Sequence, residues 1–210
     1  MISKRNFEII ATIIVLGAVF SQYAEVIYKV FTYREETLLN ETLRYWGYMT
    51  IWTNTLVGII FFASWTNLKF LDFFRNYALQ SATVVYIFIV AIIYHLFLRL
   101  TEFDNLISQI NDFNFHTLIP AIYIIYWLLT IPKKKLNITA VLKWMIYPAI
   151  YGLFVVIKGE LNNSYPYPFF NVNEIGYGKV LLYGLELAVF YGFLSLIFLY
   201  LNNKFLSKKQ

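Results

Sequence analysis

Thr50, Thr53 and Asn54 stand in the stretch YWGYMTIWTN, residues 45–54, which runs straight into the uncharged LVGIIFFASW. Three and four residues apart, they share one face of a helix. A polar face where an apolar helix begins has two uses. Its groups hold helices together by hydrogen bonds, or they do chemistry. A threonine hydroxyl is a weak nucleophile that becomes useful beside a base. Neutral histidine is the usual base, since its unperturbed pKa of about 6.5 suits proton transfer near neutrality. The chain has 2 His, His95 and His116. Around them fall Glu25, Arg99 and Glu186, each near one end of an apolar run. Glu25 and Glu186 are carboxylates that could orient His116 or close a polar network. Asn54 lies one turn below Thr50, where its amide could donate to a developing oxyanion or orient His116. Every one of these has a plainer use: Glu25 pairs with Lys29 four residues on, and a lone His at a helix entrance is ordinarily an interfacial residue.

The elements that must position these groups follow from composition. Hydrophobic residues make up 60 % of the 210 and charged residues 14 %, with mean hydropathy +0.59. Soluble domains carry about 25 % charged residues, so the chain reads as an integral membrane protein. With 0 Cys, disulfides, iron–sulfur clusters and thiolate zinc sites are excluded. A spanning helix needs about 20 mostly apolar residues. Six runs qualify: Phe7–Phe31, Trp46–Trp65, Tyr77–Leu100, Phe113–Ile131, Thr139–Ile157 and Gly178–Leu201. Such continuous runs are helices, because the backbone must satisfy itself in lipid, and they lack the alternation of barrel strands. The expected fold is all-α, one six-helix transmembrane domain over residues 1–210. The first run is read as retained, since no small-residue cleavage site follows Lys4 and Arg5.

Orientation comes from the loops. Lys4, Arg5, Lys69, Arg75, Lys133, Lys134, Lys135, Lys204, Lys208 and Lys209 fall on one side; Glu35, Glu36, Glu41, Glu102, Asp104, Asp112, Glu160 and Glu174 fall on the other, with Arg34, Arg44 and Lys158. Basic loops mark the cytoplasmic side, so both termini are expected inside. This bias also accounts for the net charge of +5 without a nucleic acid partner. Thr50, His116, His95, Arg99, Glu25 and Glu186 then gather toward the outer face. Polar groups are expensive in a bilayer and mark function there, so a pocket opening toward the outer leaflet is expected. The last outer loop, from Lys158 to Tyr177, carries SYPYPFF and reads as a folded cap at the interface.

In this order and spacing, several short motifs resemble the androgen-induced-gene family of six-span membrane proteins. They are Trp46-x-x-x-Thr50 at the start of the second span, a His before the fourth and Tyr167-Pro168-Phe169 in the last outer loop. The match is closer to the bacterial branch of predicted six-transmembrane proteins. There the chain supplies aromatic-x-T-x-x-[ST]-N from Tyr48 to Asn54, H-x-x-x-P from His116 to Pro120, Y-P-x-x-Y at Tyr147, Pro148 and Tyr151, and Gly176 after the Y-P-F. The proline after the His lies one residue closer than in the animal members. The resemblance implies a hydrolase of fatty acid esters of hydroxy fatty acids, in a bacterial plasma membrane. It carries the nucleophile to Thr50 and the histidine to His116. Membrane lipids and a small lipid ester would be its partners; no cofactor or metal is implied. Thr53, Asn54, Glu25, His95, Arg99, Tyr151, Tyr167 and Glu186 would bind substrate or support the pair. Two other classes remain open at this point: a lipid-binding or transport protein without chemistry, and a haem protein ligated by His95 and His116.

Overall fold

The computed structural model describes residues 3–34, 36–99, 102–131 and 134–207. Leu100, where the third expected span ends, and Glu35, Lys133, Lys208 and Lys209 of the charge pattern lie outside them. The described chain is 85 % helix, with no strand among the described residues. Four helices are long and apolar enough to cross a membrane: Lys4–Tyr33, Tyr77–Leu98, Ile138–Asn162 and Val172–Leu206. A fifth arises if Met49–Trp65 is joined to the short 3-10 helix Lys69–Arg75, from which it is bent by 118°. This is the make-up of a multi-pass membrane protein.

The chain divides into two compact units, one of Met1–Tyr33 and Thr50–Pro132, the other of Arg34–Met49 and Lys133–Gln210. The first unit is built from α1 (Lys4–Tyr33), α3 (Met49–Trp65, from Thr50 on), α4 (Tyr77–Ile93), α5 (Leu106–Phe113) and α6 (Ile119–Leu129). Helix α4 is its centre, with Gln80 to Ile87 all buried, and it packs chiefly against α6. Tyr and Trp side chains there meet their polar obligations across helices. Tyr123 donates to the Gln80 carbonyl at 3.1 Å, Trp127 to Ser81 Oγ at 3.2 Å and Tyr126 to the buried Glu8 carboxylate at 2.6 Å. Without water, each such donor needs a partner inside the protein.

Local chemistry sets the ends. Asn76 caps α4 by accepting the amides of Ala78 and Leu79; Asn105 caps α5 by accepting that of Ser108. Arg75 closes α3 by donating to the carbonyls of Ala63, Thr66 and Leu68, and pairs with Asp72. The fourth expected span therefore begins earlier than its apolar run. Helix α5 starts at Leu106, continues through a π-helical turn at Asn114–Leu118 and passes into α6. One side of α5 is apolar and exposed, with Leu106, Ile107, Ile110 and Phe113. The other carries Asn105 and Ser108, bonded to the Glu25 carboxylate at 2.9 and 2.8 Å, and Asn111, bonded to Ser21 of α1 at 3.3 Å.

The second unit holds α2 (Leu38–Tyr45), α7 (Ile138–Trp144), α8 (Ile146–Asn162) and α9 (Val172–Ser207). The second expected span starts at Met49 rather than Trp46, because Trp46–Tyr48 forms the turn after α2. Tyr151 fixes that turn. Its hydroxyl donates to the Gly47 carbonyl at 2.7 Å and accepts the Met49 amide at 3.1 Å. The last loop is shorter than its expected span from Lys158 to Tyr177, because α8 runs on to Asn162 and α9 begins at Val172. Between them Tyr167 stacks on Phe169 and meets Tyr48 edge-on. Gly176, at φ 75°, breaks α9 near its start.

Helices α1 and α3 approach closely at Gly58, where an added Cβ would lie 2.4 Å from Leu16 Cδ2 and 2.9 Å from its Cγ. Gly→small substitutions at such contacts separate membrane helices. Gly58→Ala is expected to cost about 1–3 kcal/mol, the range for overpacking, measured as a lower melting midpoint in detergent. Gly17→Ala on α1, with nothing within 4 Å, serves as the neutral control.

Candidate active site

Thr50 lies in the first turn of α3. Four other hydroxyls of this unit fold back onto their own chain. Thr12 donates to the Glu8 carbonyl at 2.7 Å, Ser64 to Ile60 at 2.8 Å, Thr66 to Phe62 at 2.9 Å and Thr83 to Leu79 at 2.9 Å. A carbonyl one turn back is the ordinary partner of a helical hydroxyl. Thr50 has no full turn of its helix before it. Its Oγ1 lies 3.4 Å from Nε2 of His116 instead. This is a long hydrogen bond, of the kind that tightens when substrate binds.

The other imidazole nitrogen fixes the tautomer. His116 Nδ1 lies 3.0 Å from the Asp112 carbonyl oxygen and 3.1 Å from Asp112 Oδ1. Both are acceptors, so Nδ1 carries the hydrogen and Nε2 presents its lone pair toward Thr50. Asp112 Oδ2 in turn accepts the Tyr94 hydroxyl at 2.5 Å. The Tyr94 ring stacks on the imidazole, with centroids 3.6 Å apart and planes at 5°. Burial pushes the Asp112 carboxyl up. The hydrogen bonds from His116 and Tyr94 outweigh this and hold it below the usual carboxylate range.

The π-helical turn explains why this geometry forms. Within it the Ile119 amide reaches back five residues to the Asn114 carbonyl. Pro120 has no N–H to give. The Phe115 and His116 carbonyls thus lose the donors that an unbroken α-helix would supply, and side chains replace them. Asn54 Nδ2 approaches the Phe115 carbonyl at 3.4 Å while donating to the Thr50 carbonyl at 2.8 Å. His95 Nε2 lies 3.2 Å from the His116 carbonyl and 3.1 Å from Thr117 Oγ1. His95 itself sits in a second π-helical turn, Tyr94–Leu98. Such turns recur at functional sites.

The structure brings Thr50, Asn54, His116 and His95 together. Asn54 is fully buried and its amide is committed to two carbonyls, so it braces the backbone at Thr50 and at Phe115, next to His116, and is not the free amide donor expected from the sequence. Its Oδ1 is buried without a partner. Thr53 is fully buried beside it, and Arg99 is exposed just beyond the second π turn. The carboxylate that holds His116 is Asp112. Glu25 is instead engaged by Asn105, Ser108, Gln22 and Lys29. Tyr151, Tyr167 and Glu186 belong to the second unit, where Tyr151 secures a turn and Glu186 is exposed on α9. Asp112 and Tyr94 escaped the sequence analysis. The D-x-x-x-H spacing, one helical turn, was the available signal for Asp112; nothing in the sequence marked Tyr94.

A haem needs two axial nitrogens facing each other across the iron. His95 Nε2 faces the main chain of His116, and His116 Nε2 faces Thr50, so the pair is not so arranged. Among the described residues no three His, Asp or Glu side chains gather as metal ligands. Comparison of the chain with protein-family models, curated proteins and solved structures finds no match.

Because its native carboxyl is held down, Asp112 adds stability that is present above the ordinary carboxylate range of about pH 4 and lost as pH falls through its lower native value. The melting midpoints of the protein and of Asp112→Asn in detergent should therefore differ at neutral pH and converge on acidification below about pH 4. A gap unchanged by acid would remove the charge of Asp112 from the account.

Proposed function

We propose that this chain is a membrane-embedded hydrolase of fatty-acyl esters, with Thr50 as nucleophile and His116 as base. The observation that carries the proposal is the continuous set of contacts from Thr50 Oγ1 through the imidazole to Asp112. Nucleophile, base and orienting carboxylate in this sequence are the parts that acyl transfer needs. The resemblance drawn from the motifs around Thr50 and His116 adds the substrate class, which includes fatty acid esters of hydroxy fatty acids.

The chemistry runs in two halves. His116 Nε2 takes the Thr50 proton as Oγ1 attacks the ester carbonyl carbon. The tetrahedral oxyanion collapses, and the alcohol leaves with the proton from Nε2. Water then attacks the acyl-threonine with His116 again as base, releasing the fatty acid and restoring Thr50. Asp112 keeps Nδ1–H in place and favours the imidazolium formed in each half. With the Asn54 amide occupied and the Met49 amide held by Tyr151, the Thr50 and Ile51 amides in the first turn of α3 are the donors left for the oxyanion. Such amides lack a carbonyl one turn back and carry the positive end of the helix dipole. A donor of this kind is worth about 3 kcal/mol of barrier.

The proposed frame has six spans, with both termini in the cytoplasm and the ester entering from the outer leaflet of a bacterial plasma membrane. The fourth span, Phe113–Ile131, lies on the continuous helix from α5 through α6, with Asn111 and Asp112 just ahead of it at the interface. The loop charges support the orientation, and the apolar exposed side of α5 suits lipid contact.

Two experiments test this. Detergent-purified protein treated with a fluorophosphonate should be labelled at Thr50, and the adduct should vanish in Thr50→Ala and His116→Ala. Hydrolysis of a fatty-acyl ester by the same variants should fall by about 10²–10⁴. If Thr50→Ser and Thr50→Ala behave alike on every lipid ester, the threonine is only a helix-packing residue. For topology, the absence of native cysteine makes single reporters clean. Ser3→Cys and Lys204→Cys should react with an impermeant thiol reagent only after the membrane is opened, and Glu102→Cys in intact cells.

A further inference from the structure

Tyr94 is 6 % exposed; besides meeting the His95 ring edge-on, it makes two contacts, with His116 and with Asp112, that act at right angles to each other. Its ring covers one face of the His116 imidazole at 3.6 Å, almost parallel to it. Its hydroxyl donates to Asp112 Oδ2 at 2.5 Å, while the other carboxylate oxygen takes the hydrogen of His116 Nδ1. The stack sets the plane of the imidazole. The two hydrogen bonds to one carboxylate set its rotation within that plane. Neither helical backbone does this alone, since His116 sits in a π-helical turn that changes the direction of its side chain relative to α5 and α6.

We propose that Tyr94 is a positioning residue for His116, clamping the ring by its face and the Asp112 carboxylate by its hydroxyl so that Nε2 is aimed at Thr50 Oγ1. The proposal rests on the hydrolase function for its kinetic consequences only. The titratable groups around His116 among the described residues are Asp112 on its own helix and Tyr94 and His95 on the segment from α4. Tyr94 is the one that touches both the base and its carboxylate.

The test separates ring from hydroxyl. Tyr94→Phe keeps the stack and the packing volume and removes one charge-assisted hydrogen bond. Tyr94→Leu removes both. With histidine isotopically labelled and His95→Gln used to assign the two rings, the His116 carbon-bound ring protons should be shifted upfield by the stacked tyrosine. That shift should survive in Tyr94→Phe and disappear in Tyr94→Leu. The Nδ1 proton bonded to Asp112 should resonate far downfield and broaden or move in Tyr94→Phe. In ester hydrolysis, Tyr94→Phe should lower kcat about tenfold with KM unchanged, the loss tied to one hydrogen bond to a charged group, and Tyr94→Leu should lower it further. A folded Tyr94→Phe that leaves both the Nδ1 signal and kcat untouched, or a native His116 with no upfield ring shift, overturns the proposal. If the expected spectra appear but no ester is hydrolysed, the clamp stands and the hydrolase function fails.

Discussion

Pro120 has no amide hydrogen, and the carbonyl of His116 four residues before it must find a donor elsewhere. The Phe115 carbonyl is in the same position, because the Ile119 amide has moved on to Asn114. A buried carbonyl without a partner costs about 1–3 kcal/mol, and in a membrane protein no water supplies the bond cheaply. The donors come from two other helices: Asn54 of α3 and His95 beyond α4. One missing hydrogen thus ties together the three segments that carry Thr50, His116 and the tyrosine stacked on its ring. The π-helical turn is the form the backbone takes around that constraint. It also leaves His116 within reach of Asp112 on one side and Thr50 on the other.

The polar groups of the first unit divide by where their donors go. Several in helix interiors close on the helix itself or on an aromatic partner, as Thr12 does with the Glu8 carbonyl and Trp65 Nε1. They hold helices together and have nothing left to offer a ligand. Around His116 the pattern differs. The ring nitrogens are fixed by acceptors on one side only, and Nε2 is matched with a hydroxyl at the long distance of 3.4 Å. That is a weak structural bond, longer than those by which Thr12, Ser64, Thr66 and Thr83 hold their own helices.

Much of the frame was legible in the sequence because hydropathy acts over long windows. The runs Phe7–Phe31, Thr139–Ile157 and Gly178–Leu201 fall inside helices long enough to cross a membrane, and the run from Tyr77 opens a fourth that extends to Leu98. The nearness of Thr50 and His116 was legible too, from residue types and motif order. Helix α5 was not, because it is amphipathic. Its Asn105, Ser108, Asn111 and Asp112 lower the average of any window that includes them, so the segment read as loop and Asp112 was counted only as a surface charge. Glu25 and Glu186 drew attention as carboxylates in apolar runs, while the carboxylate beside the histidine sat just outside one. Tyr94 had no signal at all among 18 tyrosines. Its importance lies in a ring stack between distant segments, which no local pattern encodes.

The position of Thr50 has an evolutionary consequence. Thr83, in an interior turn, spends its hydroxyl on its own helix; Thr50, in the first turn, does not. Thr50 is the second residue of α3 and Thr83 the seventh of α4, so the two differ by five residues, about 7.5 Å along a helix, and not in chemistry. A threonine hydroxyl already present for packing is released from its own backbone when the helix is shortened ahead of it, with no new side chain at that position. The reverse change, extending α3 by one turn through the Trp46–Tyr48 turn, would return the hydroxyl to the backbone. In this fold the register of a helix end decides whether a hydroxyl serves its own helix or another, and a few inserted or deleted residues are enough to cross between the two.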